Sequence, residues 1–171
     1  MTIRPCSPAD FDDVYAVVND AAIAYRGVIA ADCWTEPYMP AEELQHEIEV
    51  GVRFWGGFDN GQLVGVMGIQ EVADVALIRH AYTRTARQGT GVGTALLAHL
   101  QAQTDRRILI GTWRAATWAV RFYERHGFRL VPESEKAALL RRYWTVSARQ
   151  IEESVVLDGG TPDRSGRPSQ T

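Results

Sequence analysis

The run Arg87-Gln88-Gly89-Thr90-Gly91-Val92-Gly93-Thr94 carries the sharpest chemical signal in the chain. Its alternating glycines let the backbone turn tightly and approach a ligand closely. They follow a strand-like segment, Val75 to Thr83, and open a segment of helical period from Gly91 to Thr104. The first turn of a helix presents unpaired N–H groups and the positive end of its dipole. Loop and helix together therefore make a phosphate site. A P-loop requires Gly-Lys-Ser/Thr, whereas Gly93 is followed here by Thr94-Ala95. A dinucleotide fingerprint requires glycine at 94, a first βαβ unit and an acid about 20 residues further on, and the chain meets none of these. A plain strand-to-helix turn is the reading that the glycines alone leave open.

A second group of residues could move protons or grip a substrate. Tyr123 lies in a helical segment, Ala116 to His126, where periodicity alone packs it with Trp118, Ala119 and Phe122. His80 is of a residue type that can pass protons or serve as a hydrogen-bonded structural group. On a regular strand it faces away from Leu77 and Arg79, unless a bulge re-aims it. Arg79, if it points into a cleft, suits a carboxylate or phosphate. Tyr25, Trp34, Tyr38 and Met39, with the later pair Tyr143-Trp144, either wall a pocket, cover the core or make a dimer contact.

These residues need a scaffold, and 171 residues suit one domain. Apolar residues make up 46% and charged residues 23%, which excludes wholesale disorder. With 18 basic and 21 acidic residues the net charge is −3, against the basic excess that sequence-blind nucleic-acid binding needs. Two cysteines cannot build a disulfide framework, no Cys/His spacing suggests a metal, and no stretch reaches the roughly 18 apolar residues of a membrane span. The start lacks an apolar signal segment, so the expected setting is cytoplasmic.

Ser7-Pro8-Ala9-Asp10 reads as a capped helix start, with Phe11, Val14, Val18 and Ala22 inward. A second helix fits Pro40 to Val50. Two strands, Val52 to Phe58 and Gln62 to Ile69, flank the turn signal Asn60-Gly61. Then come the strand before the loop, the helix after it, a buried strand at Arg107 to Thr112, the Tyr123 helix, a strand at Phe128 to Val131, a short helix at Ala137 to Trp144 and a last strand at Ile151 to Leu157. The expected fold is α/β (α+β), a mixed sheet flanked by helices. Residues 158–171 are small and polar, and read as a flexible tail behind a domain of residues 1–157.

The stretch from Ala81-Tyr82-Thr83 through Gln88 to Leu97 resembles the coenzyme A loop of the GNAT superfamily of N-acetyltransferases. Gln88, Gly91 and Gly93 stand at the positions of its Gln/Arg-x-x-Gly-x-Gly/Ala signature. Ala119-Val120-Arg121-Phe122-Tyr123-Glu124-Arg125-His126-Gly127-Phe128 resembles the superfamily's Ala-x-x-Phe-Tyr-x-x-x-Gly-Phe segment. The order of elements fits as well, over residues 2–157.

The resemblance implies a mostly antiparallel sheet splayed at the cofactor, acetyl-CoA as co-substrate without a metal, and an amine acceptor on a small molecule or a peptide N-terminus. It places pantetheine along the backbone of Tyr82 and Thr83. The pyrophosphate falls on the N–H groups of Gln88, Gly89, Thr90, Gly91, Val92, Gly93 and Thr94. Tyr123 takes the part of general acid toward the thiolate. The superfamily's base positions fall on Leu77 and Arg79, neither a good base, which leaves His80 or Glu71 as candidates. Tyr25, Trp34, Tyr38 and Arg79 are the candidate acceptor contacts. A homodimer is a habit of the superfamily. One departure stands out: Ala116 occupies a position where many members carry a cofactor-binding asparagine, with Arg114 or Thr117 as possible replacements. Two further readings remain, a non-catalytic acyl-CoA sensor or partner-binding domain and a nucleotide-binding module.

Overall fold

The computed structural model of the chain describes residues 1–163. Seven strands form one sheet: β1 (Thr2–Pro5), β2 (Arg53–Asp59), β3 (Gln62–Val72), β4 (Val75–Thr83), β5 (Arg107–Trp113), β6 (Arg129–Leu130) and β7 (Ser154–Gly160). Their order is β1-β2-β3-β4-β5-β7-β6, and only β4 and β5 run parallel. The β2–β3 hairpin closes at Asn60 and Gly61, with φ of 49° and 80°, as the Asn-Gly signal requires.

Helices cover both faces. On one, α3 (Val92–Gln101) sets Val92, Leu96, Leu97 and Leu100 against Ile69, Ile78, Ile108 and Ile110, with Tyr123 of α4 (Thr117–Arg125) in the same cluster. On the other, α1 (Phe11–Ala22) and α2 (Ala41–Glu49) place Val14, Val18 and Leu44 over Phe54, Leu63 and Val66. Further along that face, α5 (Glu133–Tyr143) and α6 (Ala148–Glu153) cover Leu77, Leu109 and Val156. Because both faces are buried, β3 and β4 read as nearly continuous apolar runs, not as alternating ones.

The chain enters α1 through a 3₁₀ turn, Pro8–Asp10, tied by one carboxylate. Asp10 Oδ2 accepts from the Ser7 N–H at 2.7 Å and the Ser7 hydroxyl at 2.8 Å, while Arg4 donates to both carboxylate oxygens at 2.8 and 2.9 Å. The Arg4 and Ser7 bonds outweigh burial and hold the Asp10 carboxyl well below its usual range.

Several boundaries differ from the sequence expectation: β3 runs on to Val72, α5 begins at Glu133, and the C-terminal elements shift most. Residues 148–153 are helical because Ser147 and Gln150 close a capping box, Ser147 N–H donating to Gln150 Oε1 at 2.9 Å and Gln150 N–H to Ser147 Oγ at 3.1 Å. The last strand is displaced accordingly and runs through Gly160, so residues 158–160 belong to the sheet. Arg107 binds Asp158 at 3.0 Å through Nε, and the Phe128 ring fills the space beside Gly159. Of the rest of the expected tail, residues 161–163 continue without helix or strand and 164–171 lie outside the described residues.

Replacing Asp10 by alanine strands the Ser7 N–H and should cost about 1–2 kcal/mol, roughly 2–8 °C in Tm for a chain of this length. The folded-state pKa is depressed, so this stability is present above the unfolded value near pH 4 and is lost as pH falls below it. Thermal melts at pH 7 and pH 3 should therefore show the Tm difference between Asp10→Ala and the parent shrinking in acid.

Candidate active site between the splayed strands

β4 pairs with β5 only from Val75 to Ile78, against Arg107 to Ile110. Beyond that point β4 stays with β3, and β5 stays with β7 through Trp113, so the sheet opens between them. A bulge lies at the opening. Tyr82 pairs with Val66 and Arg79 with Gly68, so His80 and Ala81 together oppose Met67. His80 takes a φ of 53°, a left-handed conformation uncommon for a residue with a Cβ.

Two cavities flank the opening. The first, about 550 Å³, is lined by the glycine loop, Thr83, Ala21 of α1 and Trp118, Phe122 and Arg125 of α4. Gly89 and Gly91 adopt φ of 74° and 86°, and no protein atom lies within 4 Å of where a Cβ would stand on either. Gly91 is also the residue from which α3 starts, so the first-turn N–H groups of the helix open at the same loop. The loop is held from outside: Asp20 of α1 accepts from the Thr85 N–H at 2.7 Å, Asp59 pairs with Arg87 at 2.6 Å, and the Thr90 hydroxyl donates to the Arg87 carbonyl at 2.6 Å. A bare, preorganised run of backbone donors at a helix start can hold a pyrophosphate.

The second cavity, about 600 Å³, is lined by polar groups from several elements, among them Glu43 and Glu47 of α2, Arg79 and His80 of β4 and Arg149 of α6, with Tyr38, Trp113 and Trp144 as aromatic wall. Glu47 Oε2 lies 2.9 Å from Arg79 Nη1 and 2.7 Å from His80 Nε2. Burial alone would raise the Glu47 carboxyl, but the His80 hydrogen bond and the neighbouring cations bring it below its usual range. Glu43 moves the other way, raised by desolvation.

Tyr25, Ala81, Tyr82, Ala119 and Tyr123 line both cavities and form the partition between them. Tyr123 is 6% exposed, wedged between Phe122 and Phe128 at ring distances of 5.1 and 5.8 Å. Burial pushes its hydroxyl well above 10, so it is protonated at neutral pH. Tyr82 also lies well above its usual value through burial, beside the hydroxyls of Tyr25 and Tyr38, and Trp113 Nε1 donates to the Tyr38 hydroxyl at 2.7 Å. A bond from β5 to the loop before α2 thus spans the mouth of the opening.

Most residues singled out in the sequence converge here, with exceptions. Trp34 does not line either cavity but stacks behind Tyr38 at 5.7 Å, and Tyr143 turns away, its hydroxyl 2.8 Å from Asp74. Leu77 is core, and Glu71 pairs with Arg106 at 3.4 Å, outside both cavities. Ala116 is fully buried and Arg114 is engaged with Glu133, and neither lines either cavity. Tyr123 packs with Phe128 instead of Trp118, which stacks on Tyr25 at 5.9 Å. Sequence reasoning missed Glu43, Glu47 and Trp113. The acids sit on a helix that reads as solvated, and only their i, i+4 spacing, which sets them on one face, hinted at a shared target.

The open mixed sheet thus carries a donor-lined loop on one side of its splay and a titratable cluster on the other. The family model described as an acetyltransferase (GNAT) domain matches residues 17–140, and the chain belongs to that family. No curated protein matches it in sequence. Among solved structures it is similar to the PaiA N-acetyltransferase of Thermoplasma acidophilum in complex with coenzyme A, with a TM-score of 0.69 and 17% identity over 94% of this chain and 99% of that one. It is also similar to the ribosomal-protein-S18-alanine N-acetyltransferase of Escherichia coli, with a TM-score of 0.66 and 15% identity over 99% of each chain. At such identities the likeness is one of fold. No helix among the described residues is long and apolar enough to cross a membrane, and no cluster there could hold a metal ion.

Gly91→Val should abolish coenzyme A binding in calorimetry and leave the fold intact. The branched side chain meets no protein atom there, but it strains a left-handed residue and occupies the space before the loop. Gly93→Val is a poorer test, since its Cβ would reach the Phe122 ring at 3.4 Å and disturb the α3–α4 packing. A folded Gly91→Val protein with parent-like affinity would remove the loop from cofactor binding.

Proposed function

We propose that the chain is an N-acetyltransferase moving the acetyl group of acetyl-CoA to an amine on a small molecule or a peptide N-terminus. The observation that carries this reading is the partition. Tyr123, which burial keeps protonated, stands between a loop suited to a pyrophosphate and a cavity holding His80, Glu47 and Arg79.

Acetyl-CoA, when bound, supplies a thioester carbon open to attack. The backbone donors from Gln88 to Thr94 would bind the pyrophosphate, and the strand edge at Tyr82 and Thr83 would guide the pantetheine toward the partition. Arginine at 125 lines the same cavity and adds positive charge for the phosphates.

Three proton events are then required of the chain. His80 takes a proton from the acceptor ammonium, which leaves a lone pair free to attack. Tyr123 gives its proton to the departing thiolate. The nitrogen loses a second proton as the amide forms, and this restores the tyrosine. Overall one ammonium and one thioester become one amide, one thiol and one proton released to water. Tyr25 and Tyr38 would wall the acceptor, with Trp34 bracing Tyr38 from behind.

Free-thiol release from acetyl-CoA across a panel of amines, amino acids and peptides tests the activity. Cofactor binding without thiol release would instead favour an acyl-CoA-binding module. Tyr123→Phe should lower turnover roughly 10- to 1000-fold with little change in acetyl-CoA affinity. The ring and its packing against Phe128 are retained, so kcat and kcat/KM should fall together. Unchanged turnover, with chemistry rate-limiting, would return Tyr123 to the core.

A further inference from the structure

We propose that Glu47 is the positioning residue for the base, holding His80 with its proton on Nε2 and so leaving Nδ1 to accept the acceptor's proton. This rests on the acetyl-transfer reading of the same site.

The location of the Glu47 carboxylate is costly. α2 carries Glu42, Glu43, Glu47 and Glu49, of which Glu43 and Glu47 line the cavity and Glu47 is the more deeply set, its side chain 12% exposed. A carboxylate taken out of water must be compensated. Arg79 does this at 2.9 Å and is itself oriented by Gln70, whose Oε1 accepts from it at 3.0 Å and whose Nε2 donates to the Val50 carbonyl at the end of α2. This chain of bonds fixes α2, β3 and β4 relative to one another without any help from the histidine.

His80 nevertheless reaches the same oxygen, at 2.7 Å. Successive residues of a regular strand point to opposite faces and could not both do so. The bulge makes it possible, with His80 in a backbone conformation that a residue bearing a Cβ adopts only at a cost. Strain of this kind persists where the surrounding structure over-determines it, here by Glu47 at one ring nitrogen and the stacked Phe54 ring at 5.9 Å.

The charges suit a histidine that changes state. Glu47 and Arg79 form a neutral pair, so neutral His80 leaves no uncompensated charge beside it. When Nδ1 gains a proton, the imidazolium shares its Nε2–H with the carboxylate. In that step the N–H bond of the acceptor ammonium breaks, its electron pair stays on nitrogen, and the proton joins Nδ1. The charged groups facing this centre are Glu43, His46 and Glu47 from α2 and Arg79 from β4.

The test uses Glu47→Gln, Glu47→Asp and His80→Gln in the full chain, with coenzyme A calorimetry as the control for the cofactor side. Imidazole NMR signals, with that of His80 assigned by its loss in His80→Gln, should titrate lower by roughly one unit or more in Glu47→Gln, because a stabilising anion is gone. The acidic limb of the kcat/KM profile should move down with it, kcat at pH 7 should fall roughly 10- to 100-fold, and the KM for acetyl-CoA should stay within about twofold. Glu47→Asp should recover much of both the limb and the rate. If Glu47→Gln does not fold, the ¹⁵N shifts of the neutral His80 ring in the parent protein carry the test, and a ring that bears its proton on Nδ1 overturns the proposal. A His80 midpoint that does not move, or one that moves while the kinetic limb stays fixed, overturns the proposal. Absence of thiol release by the parent protein with every amine, despite coenzyme A binding, overturns the acetyl-transfer reading itself, a result that the NMR titration does not mimic.

Discussion

Where β3 offers Met67, β4 offers both His80 and Ala81, and this one-residue excess governs the site. Had the register continued unbroken, His80 and Arg79 would project to opposite faces of the sheet. With the bulge, both side chains reach one carboxylate on α2. Just before it, at Ile78, β4 ceases to pair with β5, and the two cavities flank the gap that follows. The opening does not unravel because β3 and β7 continue to hold the two diverging strands from their outer sides.

The elements around this gap divide the work by chemistry. On one side the backbone is the exposed chemistry, where glycines at positive φ and a helix start offer N–H donors but no bulky side chains. Side chains act on the other, where Glu47, Arg79 and His80 face an aromatic wall. The partition between them is largely tyrosine. A buried phenol is an apolar body with a polar tip, so it can close a core and still present a proton at an interior boundary. Tyr123 combines both parts, packed in the main hydrophobic cluster and lining both cavities.

Much of the rigidity comes from polar ties between distant segments. Asn19 of α1 exchanges two bonds with the Met39 backbone, at 2.9 and 3.0 Å, and so fixes the end of the loop that carries Tyr38. Asp20, the next residue, holds the start of the glycine loop through the Thr85 N–H. Adjacent residues on one helix thereby fix a wall of the second cavity and the approach to the glycine loop. This couples the first helix to both sides of the site with no reacting group of its own.

The glycine loop, the hairpin at Asn60-Gly61, the capped start at Ser7 to Asp10 and the Phe122-Tyr123 helix were all legible from residue types and spacing, because each depends on local backbone chemistry. The class of fold followed from their order. The helix at 148–153 was legible in principle, since Ser147 and Gln150 cap it, but the apolar residues around Ile151 read equally well as strand. The places of Glu43, Glu47 and Trp113 around the second cavity were not legible, nor was the bulge that turns His80 toward Glu47. Glu47 and His80 are 33 residues apart and meet only because α2 packs on the sheet face to which a bulge turns the imidazole. Local sequence thus determined which residues could bind phosphate or carry protons. Tertiary structure alone decided which of them share a cavity, because a one-residue shift in strand register reverses the face to which every later side chain points.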